Sequence, residues 1–242
     1  YVKGGGAKDY EAETPVDYDF QAGLDAKIPV TSSLNLDVTI NPDFSQVEVD
    51  EQVINLTLFD ISLPEKRVFF LENSDIFEDF GIPPMKPFFS RKIGLDDEGN
   101  PIPILYGARL SGNATKNLRM GVMNLQTRET EEFLAQNYSV VAFHQKLFAR
   151  SVLKGFFHNR DALRGEDPDY NRNMGLEFQY MSADGRFRTF GGGSKSFSPD
   201  LNKKDYFYNT GIGYDNKNFS IYSNLAGLGK NYRADMGYIR GQ

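Results

Sequence analysis

Asp17-Tyr18-Asp19-Phe20-Gln21-Ala22-Gly23-Leu24-Asp25-Ala26-Lys27-Ile28 alternates apolar and polar side chains almost without a break. Tyr18, Phe20, Ala22, Leu24, Ala26 and Ile28 fall on one face of an extended chain, and the acids, amide and lysine on the other. A period of two is the signature of a half-buried strand. Thr31-Ser32-Ser33 reads as a turn. Leu34, Leu36, Val38 and Ile40 then alternate with Asn35, Asp37 and Thr39, which predicts a hairpin with one apolar and one polar face.

The same period returns after residue 100. Ile104, Tyr106, Ala108 and Leu110 alternate with Gly107, Arg109 and Ser111, and Leu118, Met120 and Val122 follow the turn at 112–117. Further strands are expected at 138–148, 151–158, 173–180, 186–197, 208–214 and 219–225, and a last one starts near Tyr232. The total is roughly ten or eleven strands, most of them joined as hairpins. Ser182-Ala183-Asp184-Gly185 and Asp215-Asn216-Lys217-Asn218 are short turns, whereas 129–137, 160–172 and 198–205 are long and charged. One end with short turns and one with long loops is the habit of outer-membrane barrels. So is a strand length near ten residues, since globular strands have a mode of about 5–6.

The composition fits. The 242 residues carry a net charge of −6, no Cys, no Trp, 20 Phe and 13 Tyr. No run approaches the ~18 apolar residues of a spanning helix. Barrel strands average to a polar composition because lumen-facing and lipid-facing residues alternate. Lacking Cys, the chain has no disulfides, thiolate sites or cysteine nucleophile. The acidic balance argues against a nucleic-acid partner. Tyr and Phe gather near strand ends on the apolar face, as interfacial girdles do. The expected fold is therefore all-β: a partial antiparallel transmembrane β-barrel spanning 1–242, read as a fragment of something longer.

Residues 41–102 break the period and form an insert. Asp50 is a candidate cap for a short helix carrying Val53 and Leu56. Charges beside Phe pairs suit a segment packed in a polar lumen. Asp43, Glu48, Glu65, Lys66, Arg67, Glu72 and Arg91 are the candidate lumen-packing residues, expected to pair with the wall or to serve docking alone.

Asn41-Pro42-Asp43-Phe44-Ser45-Gln46-Val47-Glu48, Pro64-Glu65-Lys66-Arg67-Val68-Phe69-Phe70-Leu71-Glu72 and Phe89-Ser90-Arg91-Lys92-Ile93-Gly94 resemble the signature blocks of one family. It is an uncharacterised group of outer-membrane proteins of Bacteroidetes-type bacteria, in which a barrel domain of unknown function follows a family-nine-type carbohydrate-binding domain. Asn137-Tyr138-Ser139-Val140-Val141 and Asn231-Tyr232-Arg233-Ala234-Asp235 are similar too. Ser45, Val68 and Asn73 depart from the family pattern, where Gly, Pro and Gly are common. The resemblance implies an outer-membrane location, contact with outer-membrane lipids and with other outer-membrane proteins, and a role in glycan handling or envelope assembly. Glycans would be met through a carbohydrate-binding domain upstream of these residues. The family label sometimes suggests a hydrolase, with no catalytic residues to carry over.

Motifs of chemistry are few. Asp96-Asp97-Glu98-Gly99-Asn100 lacks the spacing of a calcium loop. Gly191-Gly192-Gly193-Ser194-Lys195 has no helix after it to form a phosphate cradle, and reads as a strand leaving lumen space. No Gly-x-Ser-x-Gly elbow appears. His144 and His158 read as structural. No cofactor or metal is expected. The rival readings are a membrane-embedded hydrolase using a carboxylate pair or a Ser/His set, and a soluble β-rich binding module.

Overall fold

The computed structural model describes residues 2–7, 17–42, 65–83, 85–95, 102–130, 133–165, 167–199 and 203–239. In chain order the elements are β1 (Val2–Ala7), β2 (Asp17–Ala22), β3 (Leu24–Thr31), β4 (Leu34–Ile40), α1 (Val68–Leu71), α2 (Ser74–Glu78) and β5 (Met85–Lys86). Then come β6 (Ile104–Asn113), β7 (Leu118–Thr127), β8 (Gln136–Leu147), β9 (Ser151–Ala162), β10 (Tyr170–Met181), β11 (Phe187–Phe197), β12 (Tyr206–Asp215), β13 (Ser220–Leu228) and β14 (Tyr238–Ile239). Asp43, Glu48 and the helix expected after Asp50 lie outside the described residues.

Ten strands form one antiparallel sheet in the order β13-β12-β11-β10-β9-β8-β7-β6-β4-β3. Chain neighbours pair throughout, except that β4 pairs with β6 across the insert. The protein is all-β, as its alternation predicts. Among the described residues the sheet does not close on itself: β3 and β13 are its two edges. β6 to β12 each run for 10 to 12 residues.

The register explains why alternation and hairpins suffice. Leu36, Leu110, Val122, Val141, Phe157 and Met174 lie opposite one another in a row across six strands. One residue further on, Asp37, Arg109, Met123, Val140, His158, Asn173 and Ser196 form the complementary row. The second face is the inner one, covered by the insert. Slipping one strand by one residue would exchange the two sets.

Local turn chemistry sets the hairpins. Asn216 Oδ1 accepts from the backbone N–H of Asn218 and Phe219 at 2.7 and 3.0 Å. In the β10–β11 turn, Asp184 Oδ1 accepts from the Ser182 hydroxyl at 2.6 Å, and Gly185 takes φ +74°, a backbone region that costs glycine nothing.

Three expectations differ from the structure. First, the long alternation from Asp17 to Ile28 is two strands, divided at Gly23: β2 pairs with β1 in a separate two-stranded sheet, and β3 joins the main one. Second, no strand starts at Tyr232. The backbone there is held by wall side chains instead of a ladder. Asn171 donates through Nδ2 to the Arg233 carbonyl at 3.1 Å and accepts at Oδ1 from the Asp235 N–H at 3.0 Å. Ser196 Oγ accepts from the Arg233 N–H at 3.1 Å. Among the described residues of this segment only Tyr238–Ile239 forms a strand, and it pairs with β5 of the insert. Third, the inner face is not uniformly polar. Met123, Leu125, Val140, Ala142 and Phe156 form an apolar patch there, and Phe70, Ile76, Phe77, Phe80, Phe88 and Ile93 of the insert bury against it.

Gly121 shows how closely the two pack. A Cβ at that position would lie 2.3 Å from Phe77 Cζ, so only glycine lets the ring reach the sheet.

Candidate functional site

The insert is first organised by itself. Arg67 is almost fully buried and donates through Nη1 to the Ile93 carbonyl at 2.6 Å and through Nη2 to the Ser90 carbonyl at 2.7 Å. Nε and Nη2 also hold Glu65 in a bidentate pair at 2.9 and 2.8 Å, and the guanidinium lies 4.2 Å from the Phe70 ring centre. A planar fork of donors is what one buried side chain needs to tie two chain segments together. Burial works to raise the Glu65 carboxyl, but the hydrogen bonds and charge of Arg67 outweigh it and hold it below the usual carboxylate range.

Ionic contacts then fix the insert to the wall. Glu72 binds Lys27 of β3, and accepts from Asn35 Nδ2 of β4 at 2.9 Å. Arg109 of β6 donates to the Glu72 carbonyl at 2.7 Å and to Asp37 Oδ2 of β4 at 2.8 Å. Asp75 at the start of α2 pairs with Arg119 of β7. At the far end of α2, Lys154 of β9 reaches the Asp79 carbonyl at 2.5 Å and Glu177 Oε2 of β10 at 3.0 Å. The second oxygen of Glu177 accepts from the Gly81 N–H at 2.6 Å.

At the end of the sheet that carries the long loops lies a cavity of about 440 Å³. Phe133, Tyr138 and Tyr238 supply rings, and Gln136, Arg160 and Asp235 supply polar groups. Arg160 is ion-paired with two carboxylates. Its Nη atoms hold Asp169, and its Nε lies 2.8 Å from Asp235 Oδ2. Arg233 completes the set by donating to both oxygens of Asp235. The Arg160 hydrogen bond keeps Asp169 below its ordinary value. Burial pushes the Tyr232 phenol up to about 12, so it stays protonated against Ser194 Oγ, 2.9 Å away.

The expected residues divide into two groups. Glu72 meets the wall. Glu65 and Arg67 meet each other, and the Lys66 N–H also donates to Glu65. Arg91 is buried in the 3-10 turn at Ser90–Lys92. The wall partners Asp37, Arg109, Lys154, Arg160 and Glu177 were not singled out from the sequence. Their one signal was a charge on the polar face of a strand, shared with many exposed positions.

Two arrangements bear on the hydrolase reading. Glu65 and Glu78 both contact Ser90, and burial raises Glu78 while Glu65 is held low. Opposed carboxyl pKa values are a mark of acid–base pairs. The space between Glu78, Phe77, Phe88 and Met123 admits no water-sized molecule, so the two carboxyls do not share a cavity on that side. The two histidines face rings: His144 lies edge-on to Phe80 at 5.4 Å, and His158 stacks on Phe156 at 4.5 Å. Among the described residues no group of three His, Asp or Glu is placed to hold a metal ion.

Residues 3–241 match the family described as Domain of unknown function (DUF5916). The chain belongs to this family. No curated protein and no solved structure matches it. In this DUF5916 domain the blocks around Glu65–Glu72 and Phe89–Gly94, conspicuous in sequence, form the Arg67 clamp and the insert's contact with the wall. The glycines of β11 divide: Gly191 and Gly193 lie on the outer face, opposite Phe178 and Leu176, whereas Gly192 lies on the inner face opposite Glu177, whose Cγ a Cβ there would meet at 2.7 Å.

Proposed function

We propose that the chain is wall and plug of a bacterial outer-membrane β-barrel, with the outer face of the sheet against lipid and the insert filling the interior. One observation carries this reading. The face left open is the apolar one, and the face covered by the insert holds the buried charges. Leu24, Val141, Leu176, Ile212, Ile221 and Leu225 are each between 40% and 63% exposed, whereas Arg109, Lys154 and Arg160 are buried. Water-soluble folds place these sets the other way round, and rarely expose apolar patches beyond a few hundred Å².

Strand length and the placement of rings support it. Lengths of 10–12 residues suit a tilted crossing of the hydrocarbon. Tyr206 and Phe197 lie at the long-loop end of the sheet, Tyr214, Phe219 and Phe148 at the short-turn end, and all are exposed. Two aromatic belts around an apolar band are the pattern of such walls. The edges of β3 and β13 would be joined by further strands, since an open edge is not tolerated in hydrocarbon.

We take the role of this unit to be non-enzymatic. Its interior charges are spent on one another and on the insert, as at Arg160 with Asp169 and Asp235. The cavity beside Tyr138 and Tyr238, with rings and planar polar groups, is the place for a small polar ligand such as a sugar.

The test is made on the full-length protein. In this reading it fractionates with the outer membrane, needs detergent to stay monodisperse, and migrates differently in electrophoresis before and after boiling. A full-length protein that stays monodisperse in buffer without detergent sinks the proposal and leaves the soluble module.

A further inference from the structure

Across the outer face one row of residues alternates large side chains with glycine. Phe143, Gly155, Leu176, Gly193, Tyr208 and Gly227 lie opposite one another on β8 to β13. Two of the three glycines are covered. A Cβ at Gly155 would meet Phe143 at 2.5 Å and Leu176 at 2.8 Å, and one at Gly227 would meet the Tyr208 ring at 2.5 Å. Leu176 therefore leans toward β9 and Tyr208 toward β13, both away from β11. Gly193, between them, has nothing over it. The nearest atom to a Cβ there would be the Phe207 carbonyl oxygen at 3.4 Å.

The result is a trough of about 640 Å³ with Gly193 as its floor and Val141, Phe157, Met174, Leu176 and Tyr208 as its walls. This volume is typical of small-ligand sites, and so is an apolar lining with a few polar groups at one end. Those groups stand two and four residues nearer the long-loop end. Lys195 lines the trough itself, opposite Met174 and Tyr206. Arg172 is the next outward residue of β10 after Met174. Each has a carboxylate at the outer limit of an ion pair, Asp205 at 3.6 Å from Lys195 and Asp161 at 4.0 Å from Arg172. Lys195 has three donors and Arg172 five, so donors remain for a further anion.

We infer that this trough is a binding site for an anionic phospholipid, with one acyl chain over Gly193 and the headgroup phosphate at Lys195 and Arg172. The inference rests on the membrane-wall reading. Long cationic side chains at the rim of an apolar band reach up to the headgroup level, where they favour anionic lipid. A groove left by an uncovered glycine holds a chain in one place, whereas a smooth apolar face would not.

The experiment uses full-length protein in nanodiscs of equal phosphatidylglycerol and phosphatidylcholine, and reads by native mass spectrometry the lipid that stays bound after release. Wild-type protein is expected to retain phosphatidylglycerol in preference. Gly193→Leu fills the trough and lowers retention of either lipid about tenfold. The double variant Lys195→Gln/Arg172→Gln retains a lipid but loses the preference. Unchanged boiling-dependent migration certifies that each variant is folded. Retention by Gly193→Leu at the wild-type level overturns the inference, as does a double variant that keeps the full preference. A wild-type protein that needs detergent but retains no lipid overturns the trough alone. One that needs no detergent overturns the wall reading with it.

Discussion

Lys154 Nζ lies 3.0 Å from Glu177 Oε2 on adjacent strands of the inner face, and both residues also hold the loop that leaves α2. The pair is almost wholly shielded from water. Removing one partner of a buried pair leaves an uncompensated charge and costs about 3–5 kcal/mol. Lys154→Met is therefore expected to loosen the insert at Asp79–Gly81, seen as faster amide exchange and protease cleavage within 65–95. Lys154→Met/Glu177→Gln removes both charges and recovers most of the loss. A double variant no better than the single one would show that the pair is not what anchors this loop.

Gly121 and Phe77 make a second anchor, of shape and not of charge. A methyl at Gly121 would stand 2.3 Å from the ring. Overpacking of this kind costs about 1–3 kcal/mol. Gly121→Ala should lower the denaturant midpoint of the full-length protein, and Gly121→Ala/Phe77→Leu should restore part of it. Additive losses in the double variant would count against direct contact.

These anchors mark the limit of what the sequence discloses. Alternation exposes the strands because burial imposes a period of two on each of them, and the Asx and Gly turns carry their own hydrogen bonds. The insert is legible because it breaks that period. The covering of the inner face is legible only in fragments. Val140-Val141-Ala142-Phe143 is apolar at every position, so both faces of β8 are apolar, and only long-range packing shows that Phe80 and Phe156 meet there. Gly23 looks like one more member of a strand, although the pairing changes sheets at that residue. Tyr232–Gly237 reads as strand because its residue types suit one. Asn171 and Ser196, far away in sequence, divert it by taking its backbone hydrogen bonds.

The insert's wall contacts also carry a pH dependence. The Lys27 hydrogen bond holds Glu72 below its ordinary 4.5, and Arg119 holds Asp75 below its ordinary 3.8. Such carboxylates add docking stability that is complete above their unfolded pKa and is lost as pH falls through the folded one. Glu78 runs the other way. Burial raises it, so its contribution is complete below 4.5 and is lost as pH rises through the folded value. Amides of α1 and α2, corrected for the intrinsic pH dependence of exchange, should exchange faster as pH falls below the ordinary values of these carboxyls. In Glu72→Gln/Asp75→Asn that acid acceleration should flatten, and Glu78→Gln should slow exchange at neutral pH. An acid limb that persists in the double variant would assign it to other groups.

Val141 puts the membrane reading to an energetic test. It stands midway along β8, in the outer row between Val122 and Phe157. Arg at the middle of a lipid-facing strand costs about 2–4 kcal/mol, and at a strand end about 0–1. In full-length protein refolded into vesicles, Val141→Arg should therefore destabilise by that larger amount, and Phe197→Arg, at the end of β11, by much less. In a water-soluble protein both positions are surface, and substitution there changes stability by only about 0.5 kcal/mol either way. Equal and small effects at the two positions would mean that the open face meets water, and the wall reading would fall.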